Sequence, residues 1–413
     1  MDSTLNRKQR DRAKLTLLII CGLYNTYEQW CRILLPFTQW QLLPRPSMFD
    51  TLLLNAIGTV AILIGSVFVA QIIDSVGGRT AAVFATVFVG IYQAIICWMK
   101  SYYVFGGMQL LLFFNHMPTI IDALIGQLVG ENADNKERTK VLMRTIIPTS
   151  IAFATGPYLA VQILYLFNPG LEVVQMLCGI LHILTVLPII IIFLPEENNK
   201  KSRRIELPNV SSFVNILKDR KMIWSLVFVM LVMGPYSAYD QVMRTHLTGT
   251  MLTKPNEMAK MALLLGSTAF IANIFLLPYL QHKMRPSKLI QLSLTLTTGA
   301  YMYLSQVTEY HLVLIGMPFQ VIGVCIALGQ LSAHIMSSVP RSHMGKAAAL
   351  NRIAQLTATA IVPLVTGYYT DNEEATTLCY ISAAISALTI PLIHRYGDFV
   401  GQCPINNLPT RYE

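Results

Sequence analysis

The sequence predicts an all-α membrane protein: 12 transmembrane helices arranged as two pseudo-symmetric bundles of six. Three observations carry that prediction. Of 413 residues, 54% are hydrophobic and only 13% charged, and the mean hydropathy is +0.51. Soluble domains are nearer one-quarter charged. The apolar residues fall into runs of about 20, the length needed to cross the hydrocarbon core. One polar motif inside such a run recurs 212 residues later.

The runs are read in order. The first set is Leu15–Phe37, Thr51–Ile73, Thr80–Met99, Tyr102–Val129, Thr139–Leu166 and Val173–Leu194. The second is Met222–Leu247, Met258–Leu280, Leu289–Val307, His311–Met336, Lys346–Tyr369 and Thr376–His394. Only Lys100 and Ser101 separate the third and fourth, so these form a tight antiparallel pair. The stretch "PEENNKKSRRIELPNVSSFVNILKDR" divides the sets. Expected units are therefore an N-terminal half (1–195), a cytoplasmic central loop (196–220) and a C-terminal half with a cytoplasmic tail (221–413).

Basic residues set the orientation. One face collects 25 of the 31 Lys and Arg residues, including Arg7 to Lys14, Arg79, Lys136 to Arg144 and the central loop. By the positive-inside rule that face, with both termini, is cytoplasmic; the membrane is the plasma membrane or an endomembrane. The net charge of +9 does not indicate nucleic acid, because the basic residues lie in short gaps between apolar runs. No cleavable leader is evident after Lys14, so the first run reads as a retained anchor. The glycosylation-type triplet Asn209-Val210-Ser211 falls on the cytoplasmic side. Seven cysteines show neither metal spacing nor a paired framework. No metal site, cofactor, catalytic signature or nucleotide-binding lysine loop is found, so neither enzyme chemistry nor ATP drive is expected.

The recurring motif is "GLYNTYEQWCR" (Gly22–Arg32) and "GPYSAYDQVMR" (Gly234–Arg244). The shared pattern is G-x-Y-x-x-Y-[ED]-Q-x-x-R, at corresponding points in the first helix of each half. Such agreement at Tyr, acid, Gln and Arg marks two parallel repeats related by an axis along the membrane normal. Four-residue spacing puts Tyr24, Glu28 and Arg32 on one helix face, and Tyr236, Asp240 and Arg244 on the other. Polar stripes of this kind face the bundle interior or a wet cavity. At about 1.5 Å per residue, both acids lie past the midplane, toward the outer side. Three roles stay open: each acid neutralises its own arginine; the pairs exchange across the halves (Glu28 with Arg244, Asp240 with Arg32) as an outer gate; or the group binds substrate or protons. Tyr27, Gln29, Tyr239 and Gln241 join the cavity candidates. Asn115 and His116 on the fourth run add to them, with Gln320 and Gln330 on the tenth. Asp122 is a neighbour of His116 or a gate residue. Arg144 and Arg352 read as snorkelling anchors near helix ends, and His182 has no evident partner.

Twelve helices in two parallel halves resemble the major facilitator superfamily. "AQIIDSVGGRT" resembles that family's loop signature G-x-x-x-D-x-x-G-x-R, with Asp74, Gly77 and Arg79 in register, Gly78 beside Arg79, and Ala70 replacing the first glycine. The resemblance implies a contact from this loop to the start of the eleventh helix, near Gly345–Ala347. In the fifth run, "AFATGPYLA" resembles the Gly-Pro motif of proton-coupled drug antiporters through Gly156 and Pro157. "FFNHMPTIIDALIGQLVGENADNKERTKVLMR" resembles the organic-cation-transporter-like, drug:proton-antiporter-like branch of the solute carrier 22 family, echoed by "SHMGKAAALNRIAQ". The resemblance implies a monomeric secondary transporter, by antiport or symport. Its expected partners are the lipid bilayer, a small organic solute and protons. Four tyrosines and two acids suit an organic cation. The two arginines keep an anionic or zwitterionic solute open, and a non-transporting membrane scaffold with the same fold is the rival from another class.

Overall fold

The computed structural model describes residues 7–128, 145–167, 170–194, 216–249, 253–307, 309–339, 344–370 and 375–396. Most of the central loop, the Asn209 triplet, the basic cluster from Lys136 to Arg144, and Cys403 lie outside the described residues. The N-terminal half contains α1 (Arg7–Gln39), α2 (Met48–Ser75), α3 (Gly78–Ile95), α4 (Tyr102–Met108), α5 (Met117–Leu128), α6 (Ile146–Phe167) and α7 (Leu171–Phe193). The C-terminal half contains α8 (Arg220–Gly249), α9 (Pro255–Ile271), α10 (Leu277–Lys283), α11 (Pro286–Leu304), α12 (Tyr310–Ser337), α13 (Met344–Thr370) and α14 (Ala375–Tyr396). α4 with α5 and α9 with α10 each make one span, which gives twelve spans. Ten of these are long and apolar enough to cross a membrane by hydropathy alone. The others are α1, interrupted by Glu28 and Arg32, and the 19-residue α11.

Local chemistry fixes the helix starts. Ser47 Oγ accepts from the Asp50 N–H at 3.1 Å while Asp50 Oδ2 accepts from the Ser47 N–H at 3.0 Å, a capping box opening α2. Pro255 and Pro286 open α9 and α11 at positions where a missing N–H costs nothing. Inside the spans, hydroxyls bond the carbonyl one turn back, as Thr26 does to Gly22 at 2.8 Å and Thr86 to Ala82 at 2.9 Å. That satisfies a polar group where no lipid atom can. At the end of α3, Leu43 bridges the chain before α4: its N–H donates to the Lys100 carbonyl at 2.7 Å and its carbonyl accepts from Tyr102 at 3.1 Å.

Packing follows the repeat. α1 lies on α6 and α7, and α8 lies correspondingly on α13 and α14. α3 pairs with α7 as α11 pairs with α14. Between halves, α6 packs on α9 and, in the equivalent position, α13 packs on α2. Cross-half contacts close the face opposite the N terminus. There Trp40 Nε1 donates to Thr248 Oγ1 at 3.1 Å, the Phe49 ring meets Tyr368 edge-on at 6.1 Å, and Leu52 is buried with Ala238, Val242 and Leu378.

Two expectations need correction. The fourth span is not one helix. After α4 it tightens into a 3₁₀ segment (Gln109–Phe114), leaves helical geometry at Asn115 and His116, and restarts at Met117. Pro118 explains the break, since it has no N–H to offer Phe114 and its ring would clash with that carbonyl. Gly65 lets α2 lie against the irregular segment: a Cβ there would stand 1.9 Å from the Phe113 carbonyl oxygen. The eighth span also departs from regular geometry, through a π-turn at Ala272–Leu276 between α9 and α10.

Candidate functional site

The two polar stripes meet where the halves meet. Asp240 is 5% exposed, and two arginines hold it. Arg244 Nε donates to Oδ1 at 2.9 Å from one turn along α8, and Arg32 Nη2 donates to Oδ2 at 2.7 Å from α1. Own-helix pairing and cross-half pairing therefore coexist at this acid. Glu28 pairs with neither arginine. Its Oε1 accepts from Asn115 Nδ2 at 3.4 Å, and Asn115 Oδ1 accepts from the buried Tyr24 hydroxyl at 2.7 Å. The break after Phe114 aims Asn115 at α1.

Arg352 occupies the same region. It is half-buried on α13, within electrostatic range of Glu28, Asp122 and Arg32, and its hydrogen bond goes to Gln355 at 3.4 Å. The anchor reading is thus corrected. The residue lies only eight positions into α13, about 12 Å along the helix, and its long side chain reaches inward. A sequence signal existed: Arg352, Gln355 and Thr359 share one helix face. Arg32 retains 41% exposure at the interface, and Glu28, Tyr236 and Arg352 are half-buried. Solvent therefore reaches the interface of the bundles at this level.

Other candidates lie elsewhere. Tyr27 turns into its own half, stacking on the His182 ring at 5.4 Å, and its hydroxyl accepts from Thr185 at 3.2 Å. His182 itself meets Gln93 Oε1 through Nδ1 at 2.7 Å and the Tyr24 ring edge-on at 4.8 Å. These partners on α3 and α7 were not legible in linear sequence. Tyr239 is fully buried against Tyr301, 5.7 Å away, and the Tyr301 hydroxyl accepts from Gln320 Nε2 at 3.0 Å. Gln320 thus belongs to the interior of the C-terminal half. Gln29 is buried where α1 meets Gly156, Gln241 donates to the Thr359 carbonyl at 3.3 Å, and Gln330 is buried on α12. His116 is 2% exposed and faces Gly65 on α2.

At the loop between α2 and α3, Asp74 falls in the last turn of α2. Gly77 holds φ at 108°, a conformation only glycine adopts freely, and its N–H donates to the Ile72 carbonyl at 3.1 Å. Gly78 starts α3 in contact with Leu124, and Arg79 donates to the Ile191 carbonyl of α7 at 2.6 Å. Gly156 and Pro157 lie inside α6, without breaking it. Among the described residues no three His, Cys, Asp or Glu side chains group as a metal site, and the six described cysteines are free thiols.

A family model, the Major Facilitator Superfamily, matches residues 46–363. That is well over half of the chain, and the chain belongs to this superfamily. No curated protein matches it by sequence. Solved structures do match in fold. The human organic anion transporter MFSD10 (TETRAN) is 14% identical with a TM-score of 0.72, covering 93% of this chain and 99% of that one. A mutant of the nucleoside transporter NupG is 13% identical, TM-score 0.67, covering 93% and 99%. The xylose transporter XylE from E. coli, in a partially occluded inward-open conformation, is 12% identical, TM-score 0.71, covering 94% and 98%. At such identities the likeness is one of fold. Family and fold together define an integral membrane transporter, not an enzyme.

Proposed function

We propose that the protein is a secondary active transporter that moves a small organic solute by alternating access, coupled to protons. The observation that carries this reading is the Arg32–Asp240 bridge, an ionic contact at 2.7 Å between the first helices of the two halves. A contact linking the two bundles is one that rocking must break and remake. It works as an outer gate in this reading, with Arg244 holding Asp240 in place when Arg32 leaves. The halves 1–195 and 221–413 are the moving units, joined by 196–220. The basic face, with both termini, is cytoplasmic, and the monomer is the working unit. Likeness to the solute carrier 22 branch points to an organic cation. Arg352, which has no carboxylate within ion-pair distance among the described residues, favours a second reading, an anionic or zwitterionic solute.

The test is uptake by reconstituted proteoliposomes, under an imposed pH gradient, of a panel of organic cations, anions and zwitterions. At least one class should enter faster than into empty vesicles, and the gradient should change its rate. Arg32→Asp and Asp240→Arg should each abolish that uptake, and combining them should recover part of it. If no class outpaces empty vesicles, the scaffold reading replaces this one.

A further inference from the structure

Six charged side chains lie on the helices that meet between the bundles: Glu28 and Arg32 on α1, Asp122 on α5, Asp240 and Arg244 on α8, and Arg352 on α13. They are not equally engaged. Asp240 has both carboxylate oxygens occupied and almost no exposed surface, so it offers nothing to a ligand cation. Arg244, 12% exposed, is held by the same contact. Arg352 gives one donor to Gln355, and no described carboxylate lies within ion-pair distance of it. Arg32 donates to Asp240 yet keeps 41% of its side chain exposed. Among the acids, Glu28 has only the Asn115 amide, and Asp122 has no ion-pair partner among the described residues.

A buried charge without a direct ion-pair partner is costly inside a membrane protein, and Glu28 and Arg352 each gain by acquiring one. A plain cation would neutralise Glu28 and leave Arg352 unmatched. A plain anion would do the reverse. Only a ligand bearing both signs satisfies the two unengaged sets at once, and a guanidinium fork fits a carboxylate in particular.

We infer that the solute is a small zwitterion with a carboxylate and an ammonium group. The carboxylate is held by Arg352 and the exposed edge of Arg32. The ammonium is held by Glu28. Tyr236, half-buried beside Arg32, offers an aromatic face to the remainder of the molecule. This assignment rests on the transporter reading and names the substrate class which that reading leaves open.

The test measures binding to the purified full-length protein with matched triplets. In each, an amino acid is compared with its amide, which is a cation, and its N-acetyl derivative, which is an anion; phenylalanine and leucine supply the aromatic and aliphatic sets. In at least one set the zwitterion should bind about ten- to a hundredfold more tightly than either single-charge analogue, the range for one charged hydrogen-bonding partner. Arg352→Gln should erase the preference over the amide, and Glu28→Gln the preference over the N-acetyl form. Arg352→Lys should keep part of the first preference, and a cooperative melting transition of each unliganded variant shows that it folds. Equal binding across both triplets, binding confined to single-charge members, or no binding in either set overturns the assignment. Counterflow in proteoliposomes from the same preparation reads the transporter proposal separately: movement of a plain cation or anion leaves transport standing while the zwitterion falls.

Discussion

The motif's two copies have nearly the same residues and opposite fates. In α8 the acid is clamped by two guanidiniums and sealed from solvent; in α1 the acid has one long amide contact and stands partly open. The neighbours make the difference. α1 faces the broken fourth span, which supplies Asn115, whereas α8 receives Arg32 from the other half. Sequence repetition thus positions two equivalent stripes, and the flanking elements assign them different jobs: one joins the halves, the other is left available. The contact that draws on both copies is asymmetric: Arg32 reaches Asp240 while Arg244 turns back to its own helix.

The largest effect should come from removing the clamped acid. Asp240→Ala strands a buried Arg244 and frees Arg32, and losing one partner of a buried ion pair costs about 3–5 kcal/mol. The exposure of Arg32 moves the expectation to the lower end of that range. Glu28→Gln keeps the shape and a hydrogen-bonding oxygen for Asn115, so it should cost about 1 kcal/mol or less. Thermal melting of both variants decides the matter. Equal losses would mean that the two copies are energetically alike after all.

A second comparison concerns the seams on which these helices rest, α1 against α6 and α8 against α13. On the first seam, a Cβ at Gly156 would stand 2.3 Å from the Thr26 carbonyl oxygen, which is backbone and cannot step aside. On the second, a Cβ at Gly234 would meet Val362 Cγ2 at 3.1 Å, a side-chain methyl that can yield a few tenths of an ångström. Gly156→Ala should therefore cost about 1–3 kcal/mol as overpacking, with Gly234→Ala well under that. Melting temperatures that fall equally would show the first seam to be as yielding as the second. The Gly-Pro pair in α6 accordingly has a packing role, whatever its part in coupling.

How much of this was legible in the sequence can be argued from the same residues. Hydropathy and the 212-residue repeat placed the helices, their number and the charged stripes, because span length and helical period are properties of the chain alone. They could not say that Asp240 would take both arginines, since that choice depends on the distance between two bundles. Arg352 was misjudged as an anchor because its depth was taken from its backbone position, without the reach of its side chain or the polar face it shares with Gln355 and Thr359. Tyr27 and Tyr239 fell on the motif but turn into their own halves. Their partners His182 and Tyr301 lie on other helices, more than 150 and about 60 residues away in the chain. The break at Asn115 was foreshadowed by Pro118, yet its consequence, an amide presented to Tyr24 and Glu28, needed the packing of α1 against α5.

The smallest effect tests the comparison most finely, at the tyrosines that head the two stripes. The Tyr24 hydroxyl donates to Asn115 Oδ1 at 2.7 Å in a fully buried setting, and that contact steadies the amide that holds Glu28. Its counterpart Tyr236 is half-buried, and no hydrogen bond to its hydroxyl is seen among the described residues. Tyr24→Phe removes a donor and leaves Asn115 Oδ1 buried without its partner, so it should cost about 1–2 kcal/mol. Tyr236→Phe should change stability by no more than about 0.5 kcal/mol. Paired melting curves in one detergent read both numbers. If Tyr236→Phe proved the costlier, its hydroxyl would have to serve the Arg32–Asp240–Arg244 clamp directly, and the C-terminal stripe would carry a hydroxyl contact matching that of the N-terminal one.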